Sequence, residues 1–214
     1  IHTTAWGPKN GRVVLCVHGG MDHGHTWQWL AGHLAAHGFR VLAPDLRGHG
    51  LSDHQRPGNA MSMSDWLLDL STLMEEFDLR DVQLVGHSMG GFIAQDLIVK
   101  HPDLVRRLML TGTGPRGGKD IDKVVGVTYW DILRATLTRS DPKEFLFFNR
   151  NAAGKPAAKA FVKRLQERTV DRDKPISIKA FRTQLKAIQK FGRSAPSDLS
   201  TFTQLTLVAN GDAD

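Results

Sequence analysis

The chain has 214 residues, 41% of them apolar and 23% charged, with a formal net charge of +6. That is enough chain to bury one full core, and the composition excludes a disordered or fibrous protein. No stretch of about 18 apolar residues exists to span a membrane, no secretory leader pattern opens the chain, and the single Cys16 excludes an intramolecular disulfide. A soluble, cytoplasmic α/β domain is the expectation, with Cys16 in the apolar run 13–17 read as a buried, inert thiol.

Residues 12–17 read as a strand that ends at His18-Gly19-Gly20-Met21. Residues 27–37 read as a helix with Trp27, Leu30 and Leu34 inward and Gly38 as its stop. A second strand over 39–43 runs into Pro44-Asp45-Leu46-Arg47-Gly48-His49-Gly50. Ser64 can cap a helix whose Trp66, Leu67, Leu70, Leu73, Met74 and Phe77 share one face. After the stretch 82–98, described next, a helix stops at His101-Pro102 and a strand follows over 107–111. Strands alternating with helices at this spacing imply a parallel sheet covered on both faces.

The stretch 82–98, VQLVGHSMGGFIAQDLI, is the most informative. Val82 to Val85 is a short buried-strand pattern, and Met89, Phe92, Ile93, Leu97 and Ile98 then recur at helical spacing. A strand therefore turns directly into a helix, with Ser88 at the bend and Gly86 and Gly90 two residues to either side. Lacking Cβ atoms, the glycines let the two backbones pass closely. Such a bend lifts a hydroxyl clear of the sheet and leaves the next N–H free at a helix N-terminus, where negative charge is favoured. The G-x-S-x-G pattern in a strand–turn–helix context is that of a nucleophile elbow.

From 113 to 203 strand signals stop and helix signals take over, with starts at Asp141-Pro142-Lys143-Glu144, at Pro156 and at Pro175. The last of these carries Ile178, Phe181, Leu185 and Ile188 on one face and ends near Gly192. A strand returns over 205–209. The expected division is thus a core of 1–112 and 204–214 with a helical lid insertion, 113–203, lined by Trp130, Phe145, Phe147, Phe148, Phe161, Phe181 and Phe191. This insertion holds 19 of the 28 Lys and Arg but 9 of the 22 Asp and Glu. Without a basic stripe on a known reading module, the charge does not point to nucleic acid. It suits a solvated lid face or the attraction of an anionic substrate.

Three motifs together resemble the α/β-hydrolase family, in the order that family has them. His18-Gly19-Gly20 resembles its H-G-x oxyanion motif, Asp45-Leu46-Arg47-Gly48-His49-Gly50-Leu51-Ser52 its D-x-R-G-x-G-x-S loop, and Gly86-His87-Ser88-Met89-Gly90 its elbow. The resemblance implies a mostly parallel, doubly wound sheet, a lid after the sixth strand, and a Ser-His-Asp triad that needs no cofactor and no metal. It implies Ser88 as nucleophile, which separates the chain from relatives with Asp at that position. The N–H of Met89 and that of Gly20 would form the oxyanion hole, with Met21 as the alternative to Gly20. Asn210-Gly211-Asp212-Ala213-Asp214 resembles the family's G-x-x-D loop, so the orienting acid falls on Asp214, with Asp212 as its competitor. Met21, His23, His25 and Trp130 are candidates for the substrate pocket, while His18 and His49 read as structural. In the family the catalytic histidine follows the acid, so it is expected beyond Asp214, some 50 or 60 further residues completing the core.

The implied activity is hydrolysis of a small to medium ester, lactone or related carbonyl compound through an acyl-enzyme. Cofactor-free haloperoxidase/perhydrolase chemistry or C–C bond hydrolysis would use the same site. A non-catalytic binding or receptor protein on the same fold is the alternative of another class. The partner in every enzymatic reading is a small carbonyl substrate; the oligomeric state is left open.

Overall fold

The structure is a computed structural model and describes residues 1–54, 61–169, 172 and 176–211. It divides into two compact units, Ile1–Ile121 with Asp173–Asp214, and Asp122–Arg172.

The first unit is built on a six-stranded sheet of β1 (Thr3–Trp6), β2 (Arg12–Val17), β3 (Phe39–Pro44), β4 (Val82–His87), β5 (Val105–Thr111) and β6 (Leu205–Ala209), in the order β1-β3-β2-β4-β5-β6. All neighbours are parallel except β1, which pairs antiparallel with β3 along one edge. The period of two sorts the strand residues between two apolar layers. Leu15, Val17, Leu42, Leu84, Leu108 and Leu110 face α2 (Met63–Glu76), α3 (Met89–Lys100) and α7 (Ile178–Arg193). Val14, Cys16, Val41, Ala43 and Val85 pack with Ala31 and Leu34 of α1 (Gln28–Ala36) and with Trp6 and Trp27. Burial pushes the Cys16 thiol up to about 12, in keeping with an inert side chain. At the other edge Leu205, Leu207 and Val208 of β6 are exposed.

Several elements differ from the sequence expectation. Strand β1 was not anticipated: Thr-Thr-Ala-Trp is too short to show alternation, and it is held by β3. Helix α2 is capped by Ser62, not Ser64, in a reciprocal box with Asp65 two residues inside the helix start. Helix α7 is capped by Ser177, whose side chain accepts from Ala180 N–H; the expected start at Pro175 lies outside the described residues. The stretch 113–203 does not behave as one insertion. Ala180, Ala187, Ile188 and Phe191 of α7 belong to the core of the first unit, and Phe191 stacks on Phe92 at 4.3 Å between ring centroids. Phe191 is therefore a core residue and not a lid lining. Arg116 lies over the same ring at 4.7 Å and pairs with Asp96 of α3.

The second unit holds α4 (Val124–Thr138), α5 (Lys143–Leu146) and α6 (Gly154–Leu165). Asp131, nearly buried, accepts from Arg134 at 3.3 Å and Arg150 at 3.1 Å. Both guanidinium groups sit over the Phe145 ring, so the buried carboxylate is paired by cations that are themselves packed on an aromatic face. Phe148 packs on Phe161 of α6 at 5.4 Å. No helix among the described residues is long and apolar enough to cross a membrane.

Candidate active site

The sheet order places a crevice. Strand β3 lies on one side of β2 and β5 on the far side of β4, so the crossovers diverge between β2 and β4. Loops leaving the carboxyl ends of two such strands part from each other and open a binding crevice. Val17 pairs with Gly86 at that end, so the His18–Met21 loop and Ser88 rise side by side.

Ser88 occupies the bend with φ 49° and ψ −118°, a left-handed backbone that a residue with a Cβ adopts at a cost of order 1–3 kcal/mol. The surrounding bonds over-determine it. Ser88 N–H donates to the Thr111 carbonyl at 3.0 Å, and the Ser88 carbonyl accepts from Gly91 N–H at 2.9 Å and from the Thr113 hydroxyl at 2.9 Å. Close approach completes the geometry. A Cβ on Gly86 would lie 2.7 Å from Gly91 Cα, and one on Gly90 would lie 2.6 Å from the His18 carbonyl oxygen. Met89 is the first residue of α3, so its N–H has no carbonyl within the helix to meet. Ser88 is only partly buried. Among the described residues no side chain hydrogen-bonds its hydroxyl.

The His18–Met21 loop packs on this bend: a Cβ on Gly19 would come within 3.1 Å of Ser88 Cβ. His18 is fully buried, and its two nitrogens have assigned roles. Leu46 N–H donates to Nε2 at 3.0 Å, so Nδ1 carries the proton and donates to the Gly19 carbonyl at 2.7 Å. Burial, and then the neighbouring His49, hold this imidazole well below its ordinary range. His49, 4.9 Å away edge-to-face, donates from Nδ1 to the Leu46 and Arg47 carbonyls and is held down to about 4, chiefly by burial. Both imidazoles are buried and bonded to backbone groups of the two loops, in keeping with the structural reading of the sequence.

Asp45 ties the loops together from beneath. Its buried carboxylate accepts from Gly24 N–H at 2.6 Å and Leu51 N–H at 2.9 Å, and from His2 Nδ1 at 3.1 Å. Asp22, on the loop just past Met21, accepts from His23 N–H at 3.1 Å and from the Thr26 hydroxyl. Its burial pushes that carboxyl above the usual carboxylate range.

The remaining candidates divide. Met21 is in place beside Gly20, with φ 60°, and its N–H donates to Gln184 Oε1 at 3.2 Å. His23 flanks the short 3-10 turn over Gly24–Trp27, and His25 packs edge-on to Trp6 of β1 at 5.8 Å. His87 lies edge-on to Trp27 at 6.5 Å. Trp130 is on α4 of the second unit and is 61% exposed. Asp214 and Asp212 lie outside the described residues. Gln184 was not foreseen. Its signal was a polar residue on the apolar face of α7, three positions from Phe181 and four from Ile188.

The buried histidines set an expected pH dependence of stability. A depressed folded-state pKa means that the unfolded chain takes up protons first as pH falls. The contribution is complete above about 6.5, the ordinary histidine value, and is lost as pH drops toward 4. For His49 alone the loss amounts to about 3 kcal/mol. Urea midpoints measured between pH 7.5 and 5 should fall steadily, and more shallowly in His49→Gln; equal slopes would show that His49 is not held neutral.

A sequence profile of the alpha/beta hydrolase fold matches residues 12–168. A serine hydrolase-like protein of Dictyostelium discoideum is 29% identical over 153 residues, which cover 71% of this chain and 42% of that protein. The lipase LipV of Mycobacterium tuberculosis is 36% identical over 115 residues, 51% of this chain and 40% of that protein. The chain thus spans about two fifths of the length of these curated relatives. Among solved structures, an alpha/beta hydrolase fold protein from Chitinophaga pinensis has a TM-score of 0.80 at 26% identity, with 96% of this chain and 73% of that one covered. The profile takes in well over half the chain, and the mostly parallel sheet, the bend at Ser88 and the loop packed against it agree with that match: the chain belongs to the alpha/beta hydrolase fold family.

Proposed function

We propose that the protein is a cofactor-independent serine hydrolase acting on a small to medium ester, lactone or related carbonyl compound, with Ser88 as nucleophile. The observation that carries this reading is the strained backbone of Ser88 at the mouth of the β2/β4 crevice. It stands beside the first N–H of α3 and against the Gly19–Gly20 turn. A position that costs the fold free energy, and that many bonds hold in place, fits a functional hydroxyl better than a chance turn.

In this reading Ser88 Oγ attacks the substrate carbonyl, and its proton passes to a histidine acting as general base. The oxyanion that forms is met by Met89 N–H and Gly20 N–H. Gly20 is preferred over Met21 because the Met21 N–H is already taken by Gln184. Collapse of the tetrahedral species expels the alcohol, which leaves with the histidine's proton. The acyl-enzyme is then hydrolysed by water activated by the same base. Asp214 is assigned the role of orienting the imidazole. The lipase and serine hydrolase-like relatives support the reaction class.

The test is a fluorophosphonate probe on the complete protein, with the adduct mapped by peptide mass, alongside turnover of a panel of p-nitrophenyl esters and lactones. An adduct on Ser88 with turnover of at least one substrate is expected. No adduct and no turnover would reduce the fold to a binding scaffold, and an adduct elsewhere would refute Ser88.

A further inference from the structure

Helix α7 sends one polar side chain into the loops around the crevice. Gln184 is 1% exposed, and both ends of its carboxamide are used. The orientation follows from chemistry. His49 donates from Nδ1 to carbonyl oxygens, which can only accept, so its Nε2 is a lone pair and needs a donor. Gln184 Nε2 supplies it. The amide oxygen is thereby turned to the other side, where Met21 N–H donates to it at 3.2 Å.

This bond acts on Gly20. A peptide group is planar and trans, so its C=O and N–H point in opposite directions. His18 fixes the Gly19–Gly20 plane by donating to the Gly19 carbonyl at 2.7 Å, which turns Gly20 N–H the other way. Gln184 fixes the next plane, Gly20–Met21, through the Met21 N–H. Between the two planes lies only the Cα of a glycine, the residue whose two dihedrals are least restrained by sterics. Met21 beyond it sits at φ 60°, a strained value that the same bond helps to hold.

We propose that Gln184 is a positioning residue of the acyl-transfer site. By anchoring Met21 N–H to the His49 loop it locks the dihedrals of Gly20, and so aims the Gly20 N–H at the developing oxyanion. This rests on the reading of Ser88 as the nucleophile. Gln184 touches no reacting atom; its effect passes through one peptide plane, and half of the hold on Gly20 remains with His18. Its removal should therefore cost less than the roughly 10²–10³-fold typical of losing an oxyanion donor outright.

The experiment uses the complete protein. Gln184→Leu is expected to lower kcat for a p-nitrophenyl ester by about 10- to 100-fold with KM changed by less than about 3-fold. Affinity for a trifluoromethyl ketone, which forms the tetrahedral adduct, should fall in step with kcat/KM, while a non-reacting amide analogue keeps its affinity. Gln184→Glu can hold one proton between its new carboxyl and His49 Nε2, which restores a donor toward His49 and an acceptor toward Met21; it should return kcat to within about 3-fold of the parent. If the leucine variant does not fold, Gln184→Asn, one methylene too short, takes its place with the same readouts. Amide hydrogen exchange at Met21 should speed up in the leucine or asparagine variant and recover in the glutamate one, whether or not a substrate is known. Unchanged kcat and ketone affinity in an active background would overturn the proposal. So would a glutamate variant that regains thermal stability without regaining kcat, since a purely structural role predicts that. A parent protein that neither turns over esters nor labels at Ser88 refutes the hydrolase reading instead.

Discussion

Ser88→Ala is expected to reduce ester turnover by at least about 10⁴-fold and to abolish fluorophosphonate labelling, without unfolding the protein. The two effects separate because Ser88 holds the fold through its main chain. Its N–H and carbonyl make the bonds to Thr111, Gly91 and Thr113, and these survive the substitution. Ser88→Gly extends the test. At φ 49° and ψ −118° a glycine avoids the clash that a Cβ suffers. The variant should be inactive and yet more stable than the parent, by about 1 kcal/mol after the larger entropy of the unfolded glycine is counted. Urea denaturation of the three proteins measures this. A serine variant that retains turnover would dismiss Ser88 as nucleophile, and a glycine variant less stable than alanine would dismiss the strain.

Gly90→Ala is expected to have the largest effect on stability, a loss of about 3 kcal/mol or more. The added methyl would stand 2.6 Å from the His18 carbonyl oxygen and closer still to that of Val17. Neither neighbour can give way cheaply. Both belong to the backbone at the end of β2, a strand flanked by β3 and β4. Relief would require α3 to lift from the sheet or the His18–Met21 loop to move, and either would spoil the crevice. Gly32→Ala is the control. On α1 a Cβ at that position meets nothing within 4 Å, so ordinary helix propensity should stabilise the variant by about 0.5–1 kcal/mol. If Gly90→Ala unfolds no more readily than the parent, the elbow is not packed on β2 as described.

The parts of the site legible in the sequence were those encoded over a few residues. The change from a period of two to one of 3.6 across Val82–Ile98, with Gly86 and Gly90 around Ser88, states a tight strand-to-helix bend in the chain itself. His18 and His49 read as structural because they sit in the stretches that resemble the family's H-G-x and D-x-R-G-x-G-x-S loops. Elements without such local marks were missed. Strand β1 is four residues long and owes its conformation to β3. Helix α4 begins with Val-Val-Gly-Val-Thr, a β-branched run without a capping side chain, and its local preference does not announce a helix. The pairing of Asp131 with Arg134 and Arg150 across α4 and the stretch before α6 was equally hidden.

Local chemistry therefore settled which segments turn, where the sheet's central strands lie and which hydroxyl stands at the bend, because dihedral preferences, missing Cβ atoms and side-chain periodicity act within a turn or two of chain. Partnership over long separations was decided only in the folded molecule. The apolar stripe of α7 says that a face is buried, not that its partners are α2, α3 and the sheet. Nothing near residue 184 says that its amide will meet the N–H of Met21, 163 positions away. That contact exists because packing against the sheet brings α7 over two loops, one offering the Met21 N–H and the other the buried His49 ring, and only the assembled core can present both at once.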